Sequence, residues 1–148
     1  MASHIGRRKF LATLGGAAAT WPLAARAQQA GERIRRIGIL MPFPKSNAEV
    51  QARIRTFRQE LARLGWSEGR NVQFDERWPT DNMDLVRADA ANLVALNPDV
   101  IVTTGDRVIP ILTRLTRSIP IVVAATSDPI ASGAVESLAR PGRNVTGF

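Results

Sequence analysis

A chain of 148 residues, 45% hydrophobic and 22% charged, has the length and balance of one soluble globular domain, and its lack of cysteine excludes disulfides, thiolate metal sites, a cysteine nucleophile and a lipid-modified N-terminal cysteine. The formal charge of +7 raises the question of nucleic acid, but Arg7, Arg8, Lys9 and Arg26 lie in the first 27 residues without an acid, and setting those four aside leaves +3. The arginines that follow alternate with Glu49 and Glu60, the pattern of a solvated face, so no nucleic-acid partner is expected.

The first element is a leader. Arg7-Arg8-Lys9-Phe10-Leu11 precedes an Ala- and Gly-rich apolar run from Ala12 to Ala25, closed by Ala25-Arg26-Ala27. A basic start, an apolar centre and small residues at Ala25 and Ala27 make the three-part plan of an export signal, with cleavage expected after Ala27. Arg7 and Arg8 followed by Phe10 and Leu11 resemble the twin-arginine signal, from which Gly6 and Ala12 depart. The 16 residues from Phe10 to Ala25, interrupted by Pro22, fall short of the ~20 needed by a spanning helix. The mature protein is therefore expected in the periplasm, brought there by an export translocase and without a lipid anchor.

After a polar linker at 28–36, two periodicities alternate, which predicts strands alternating with helices around a parallel sheet. Ile37 to Met41 is a short apolar run suited to a central strand buried on both faces. From Ala48 to Leu64, Val50, Ile54, Phe57, Leu61 and Leu64 recur at helical steps, with Glu49, Arg53, Arg55, Arg58, Glu60 and Arg63 on the other side. Gly65 suits the left-handed position past the helix end. Asn71 to Trp78 alternates like an edge strand, with Glu76 on the same face as Val72, Phe74 and Trp78. Thr80 or Asp81 is the expected cap of a second helix running to about Leu96, with Met83, Val86, Ala90 and Leu93 inward. A strand at Asp99 to Thr103 is followed by a helix opening at Gly105-Asp106, whose first turn accommodates Pro110. A fourth strand spans Ile119 to Ala124, a short helix Ile130 to Leu138, and a fifth strand starts at Val145. Right-handed crossovers of this length imply a doubly wound sheet with a ligand crevice beyond the carboxyl ends of the strands, and the flavodoxin-like order 2-1-3-4-5 is expected.

Several stretches together resemble the ABC-transporter substrate-binding proteins of the type that holds aromatic amino acids. They are Arg36-Ile37-Gly38-Ile39-Leu40, Asn97-Pro98-Asp99-Val100-Ile101-Val102, Ile119-Pro120-Ile121-Val122-Val123 with Ser127-Asp128-Pro129, and Ser137-Leu138-Ala139-Arg140-Pro141-Gly142 through Asn144-Val145-Thr146-Gly147-Phe148. The resemblance implies two α/β lobes with a small solute between them and an inner-membrane permease as partner. It implies a chain roughly twice as long as this one by two-domain arithmetic, so residues 37–148 are expected to be the N-terminal lobe, cut before the second. Arg143, where the family usually repeats Gly, and Asp106-Arg107, where smaller residues are common, depart from the pattern.

An amino-acid-like solute requires donors for a carboxylate, an acceptor for an ammonium and an apolar wall. Thr103, Thr104 and the amides after Gly105 are candidates for the carboxylate, at a helix start where unpaired N–H groups favour an anion; alternatively, Asp106 caps that helix. Thr126, Ser127 and Asp128 follow the fourth strand, where Asp128 can accept from an ammonium or begin the next helix. Phe43, between two prolines, can form the apolar wall or pack under its own turn. Arg107 can instead select an acidic solute. Trp66 and Trp78 read as packing residues. Beyond the leader there is no His and no G-x-G-x-x-G motif, so neither catalysis nor a cofactor is expected. A phosphate-accepting receiver domain would need carboxylates at the strand ends, where Met41-Pro42 stands. The alternatives kept are a ligand-sensing effector domain of the same fold and a truncated lobe that binds nothing. A monomer is expected.

Overall fold

The computed structural model describes residues 33–128, 130 and 144–147. The leader positions Arg7, Arg8, Phe10, Leu11, Ala25 and Ala27, the helix expected at 130–138 apart from Ile130, the turn at 141–143 and Phe148 lie outside the described residues. The chain order is β1 (Arg35–Leu40), α1 (Ala48–Arg63), β2 (Val72–Arg77), α2 (Met83–Ala95), β3 (Val100–Thr103), α3 (Ile109–Leu115), β4 (Ile121–Val123) and β5 (Val145–Gly147). All neighbouring strands are parallel, in the expected order β2-β1-β3-β4-β5. β1 begins at Arg35, two residues before the expected strand start at Ile37, because Arg35 and Arg36 pair in register with Val72 and Gln73. Asp99 secures this start by accepting from the Arg36 amide and the Arg35 guanidinium, each at 2.9 Å.

Alternation along the central strands builds two cores. Leu40, Ile101, Ile121 and Val123 point to one side, where they meet Val86, Ala90 and Leu93 of α2 and Ile109 and Leu112 of α3. Ile37, Ile39, Met41 and Val102 point to the other, against Ile54, Val50, Phe57 and Leu61 of α1. Three of the four residues expected inward on α2 are fully buried, and Met83 is partly buried.

Three expectations change. Leu64 is 76% exposed rather than in the core. It is the residue at which α1 stops, and Gly65, at φ 92°, turns the chain away, with the Gly65 and Trp66 amides donating back to Ala62 and Leu61. α2 is capped by Asn82, not by Thr80 or Asp81; its side chain accepts from the Asp84 and Leu85 amides, while Thr80 sits at φ 60°. Arg58, placed on the solvated side of α1, instead lies 4.6 Å over the Phe74 ring and pairs with Glu76 at 2.7 Å. That contact accounts for Glu76 on a packed strand face, since its other oxygen accepts from the Trp78 indole at 3.0 Å.

Candidate functional site

Because every strand is parallel, the segments that follow β1, β3 and β4 leave the sheet at one edge, and unpaired backbone collects there. Two hollows open along it. The first has a volume of about 260 Å³ and is mainly apolar: Met41, just past β1, and Val102 of β3 line it from the sheet, while Phe43 and the α1 residues Val50, Ile54 and Phe57 wall it. Thr104, Ala124 and Ala125 border it on the strand side, and Asn47, Glu49 and Arg53 bring polar groups from the start of α1. The second hollow, about 320 Å³, lies towards α2 and is bordered by Pro42, Gly105, Asp106, Arg107, Asp81 and Met83.

The candidate residues divide between these places. Phe43 and Thr104 face the first hollow, and Gly105 and Asp106 the second. The Thr103 side chain is fully buried, its hydroxyl donating to the Leu40 carbonyl at 2.8 Å, so it joins β3 to β1 inside the sheet. The Thr104 hydroxyl and the Gly105 amide both donate to the Ala125 carbonyl, at 2.9 and 3.0 Å. Gly105 stands at φ 89°, a left-handed conformation that glycine adopts without steric cost. Asp128 accepts from the Ile130 amide at 3.0 Å, closing a local turn of the kind such residues favour.

The expected helix start at Gly105-Asp106 is corrected: α3 begins at Ile109, after Val108, with no side-chain cap. Gly105 and Asp106 are bound sideways to the β4 loop, and the Val108 amide donates to the Gly105 carbonyl in a turn that precedes α3. Asp106 reaches across to that loop, where its carboxylate accepts from the Thr126 hydroxyl and from the Ser127 amide at 3.0 Å. These bonds, the Thr126 hydroxyl foremost, hold the Asp106 carboxyl below its ordinary pKa. Asp106 therefore does not cap α3, whose N-cap position is Val108.

The α1 residues of the first hollow, Asn47, Val50, Arg53, Ile54 and Phe57, were not among the sequence candidates. The available signal was topological: seven residues separate the end of β1 from the start of α1, so its first turns must stand over the same sheet edge as the loops. Among the described residues no cluster of three or more His, Cys, Asp or Glu is placed to hold a metal ion, and no helix is long and apolar enough to cross a membrane.

The family model described as ABC transporter substrate binding protein matches residues 43–148. A tyrosine-binding protein of Clostridioides difficile (strain R20291) is 30% identical over 91 residues, 62% of this chain and 26% of that protein. A ligand-free, open substrate-binding protein with adhesive properties from Clostridium difficile superposes with a TM-score of 0.71 at 27% identity, over 77% of this chain and 38% of its own. A Streptococcus pneumonia domain in complex with L-Trp gives a TM-score of 0.70 at 27% identity, over 78% of this chain and 38% of its own. A conserved domain protein of Vibrio cholerae gives 0.72 at 29% identity, over 78% and 38%. The chain thus spans well under half the length of each of these proteins, and over the part it shares with the solved ones it has their α/β fold.

Proposed function

Because the chain belongs to the family of ABC transporter substrate binding proteins, we propose that it supplies one lobe of the periplasmic solute-binding component of an ABC-type importer. Residues 1–27 direct export through a twin-arginine-like signal and are removed after Ala27, residues 28–36 link, and residues 37–148 form the N-terminal lobe. The solute is amino-acid-like, lies between this lobe and a second one, and passes to a membrane permease. The protein has no catalytic role.

The observation that carries this reading is the apolar hollow at the sheet edge, walled by Phe43, Val50, Ile54 and Phe57 and bordered by Thr104. Ligand sites are largely apolar concavities with a few placed polar groups, and this one has the character an aromatic side chain needs. Tyrosine in the name of one relative and L-Trp bound in another support an aromatic amino acid as the first solute to try. In this reading Phe43 forms the wall, and the loops bearing Thr104, Gly105, Asp106, Thr126, Ser127 and Asp128 face the second lobe.

Closing a second lobe over the hollow excludes water and completes the contacts, so this lobe alone binds weakly. Thermal shifts against the twenty amino acids, recorded on residues 28–148 and on a version carrying a second lobe, test the reading. A shift with aromatic amino acids in the two-lobe version, small or absent in the single lobe, is expected. No shift with any amino acid in the two-lobe version overturns the proposed solute class.

A further inference from the structure

Thr126 and Ser127 offer a hydroxyl and a main-chain amide to one point, and that point is occupied by a carboxylate from the same chain, twenty residues earlier. Such convergence of O–H and N–H donors is what a protein presents to a bound carboxylate. We infer that the loop at 126–127 is a carboxylate-binding nest which Asp106 fills from within, making Asp106 a specificity-determining residue that denies this nest to a solute's carboxylate.

The neighbouring bonds aim Asp106 at the nest. The Gly105 amide and the Thr104 hydroxyl share the Ala125 carbonyl, which clamps the β3 loop alongside the β4 loop immediately before Asp106. The left-handed turn at Gly105 then directs the next residue across the gap between the two strands. A local cap would bond within its own segment, whereas this carboxylate joins two loops. Its lowered pKa means that the ionised form, the one a carboxylate ligand would present, is the form held. A solute that offers an anion to this loop must first displace Asp106, so the lobe favours solutes whose charge is recognised elsewhere. This consequence for the solute rests on the function proposed above; the nest itself does not.

The test uses the 148-residue chain and sodium acetate as the probe, with sodium chloride at equal ionic strength as control, following the Ser127 amide by NMR. In Asp106→Ala the nest is vacated, and acetate should move the Ser127 amide saturably, with an affinity at least about tenfold above that of the parent chain, a difference of roughly 1.4 kcal/mol. An equal response in parent and variant, an equal response to chloride, or no response in a folded variant overturns the inference. A second variant covers the case in which Asp106→Ala does not fold. Thr126→Val removes the hydroxyl donor, and the Asp106 carboxyl, followed by ¹³C NMR, should then titrate at a higher pH than in the parent. Arg107 and Asp81 border the same hollow and Asp128 follows in the same loop, all unchanged between the two proteins, so an unmoved midpoint also overturns it. Acetate binding by Asp106→Ala stands whether or not an amino acid shifts the two-lobe protein, which separates failure of this inference from failure of the proposed function.

Discussion

A Cβ added to Gly38 would lie 3.0 Å from two atoms of the Leu93 side chain. Leu93 is fully buried within the cluster formed by α2, α3 and the sheet, so it has little room to yield, and the absence of a side chain at position 38 is what lets α2 press against β1. Gly38→Ala should therefore destabilise the protein by about 1–3 kcal/mol, the usual cost of overpacking a tight core. Urea unfolding of the parent, Gly38→Ala, Leu93→Ala and the double variant checks this. The double variant should cost less than the two single changes added together, because truncating Leu93 frees the space the new methyl group needs. Strict additivity would mean that the two residues do not share a contact. Thr103 shows the complementary use of a polar residue: wholly buried, it has its hydroxyl on the Leu40 carbonyl, satisfying a group that would otherwise be costly to leave bare.

At the scale of elements, both longer helices begin with an asparagine. Asn47 accepts from the Val50 amide, and Asn82 from the Asp84 and Leu85 amides, satisfying backbone donors that the first turn leaves without partners. Asn82→Ala should cost about 1 kcal/mol, within the roughly 0.5–2 kcal/mol spanned by cap removals, and lower the thermal midpoint. Thr80→Ala should not produce a loss of that kind, since Thr80 caps nothing: its hydroxyl donates to the Pro79 carbonyl. Differential calorimetry on the two variants decides between Asn82 and the earlier residues. The strands were legible because continuous apolar runs such as Ile37 to Met41 leave few alternatives, and their parallel pairing followed from crossover length. The cap of α2 was not, because Thr80, Asp81 and Asn82 are all capping types and only backbone conformation separates them. The start of α3 was misread for a related reason. Asp106 has the chemistry of a cap, but its partners Thr126 and Ser127 are remote in sequence and come near only once β3 and β4 pair. Phe43 and Thr104 at the first hollow were accessible from the strand-end rule, whereas the contribution of α1 there depended on where its first turn stands in space.

For the molecule as a whole, the consequence of alternation is that the two cores share their strands. Leu40 and Ile101 belong to the cluster under α2 and α3, while their neighbours Ile39, Met41 and Val102 belong to the cluster under α1. Neither cluster can be lost without exposing one face of β1 and β3, and strands that are apolar on both faces are stable only when both are covered. This α/β unit should therefore unfold as one cooperative whole even though its helices are divided between two layers, as small single domains generally do. Two probes sit on the two sides. Trp78 packs with the α1 cluster and reports that layer by fluorescence once Trp66 is replaced by Phe and residues 1–27, with Trp21, are removed. Far-ultraviolet circular dichroism reports the helices of both layers, α2 and α3 included. The urea transitions seen by the two probes should coincide in midpoint and in slope. A fluorescence transition at distinctly lower urea would mean that the α1 layer opens first, and that the wall of the apolar hollow, formed by Val50, Ile54 and Phe57, is less stable than the sheet beneath it.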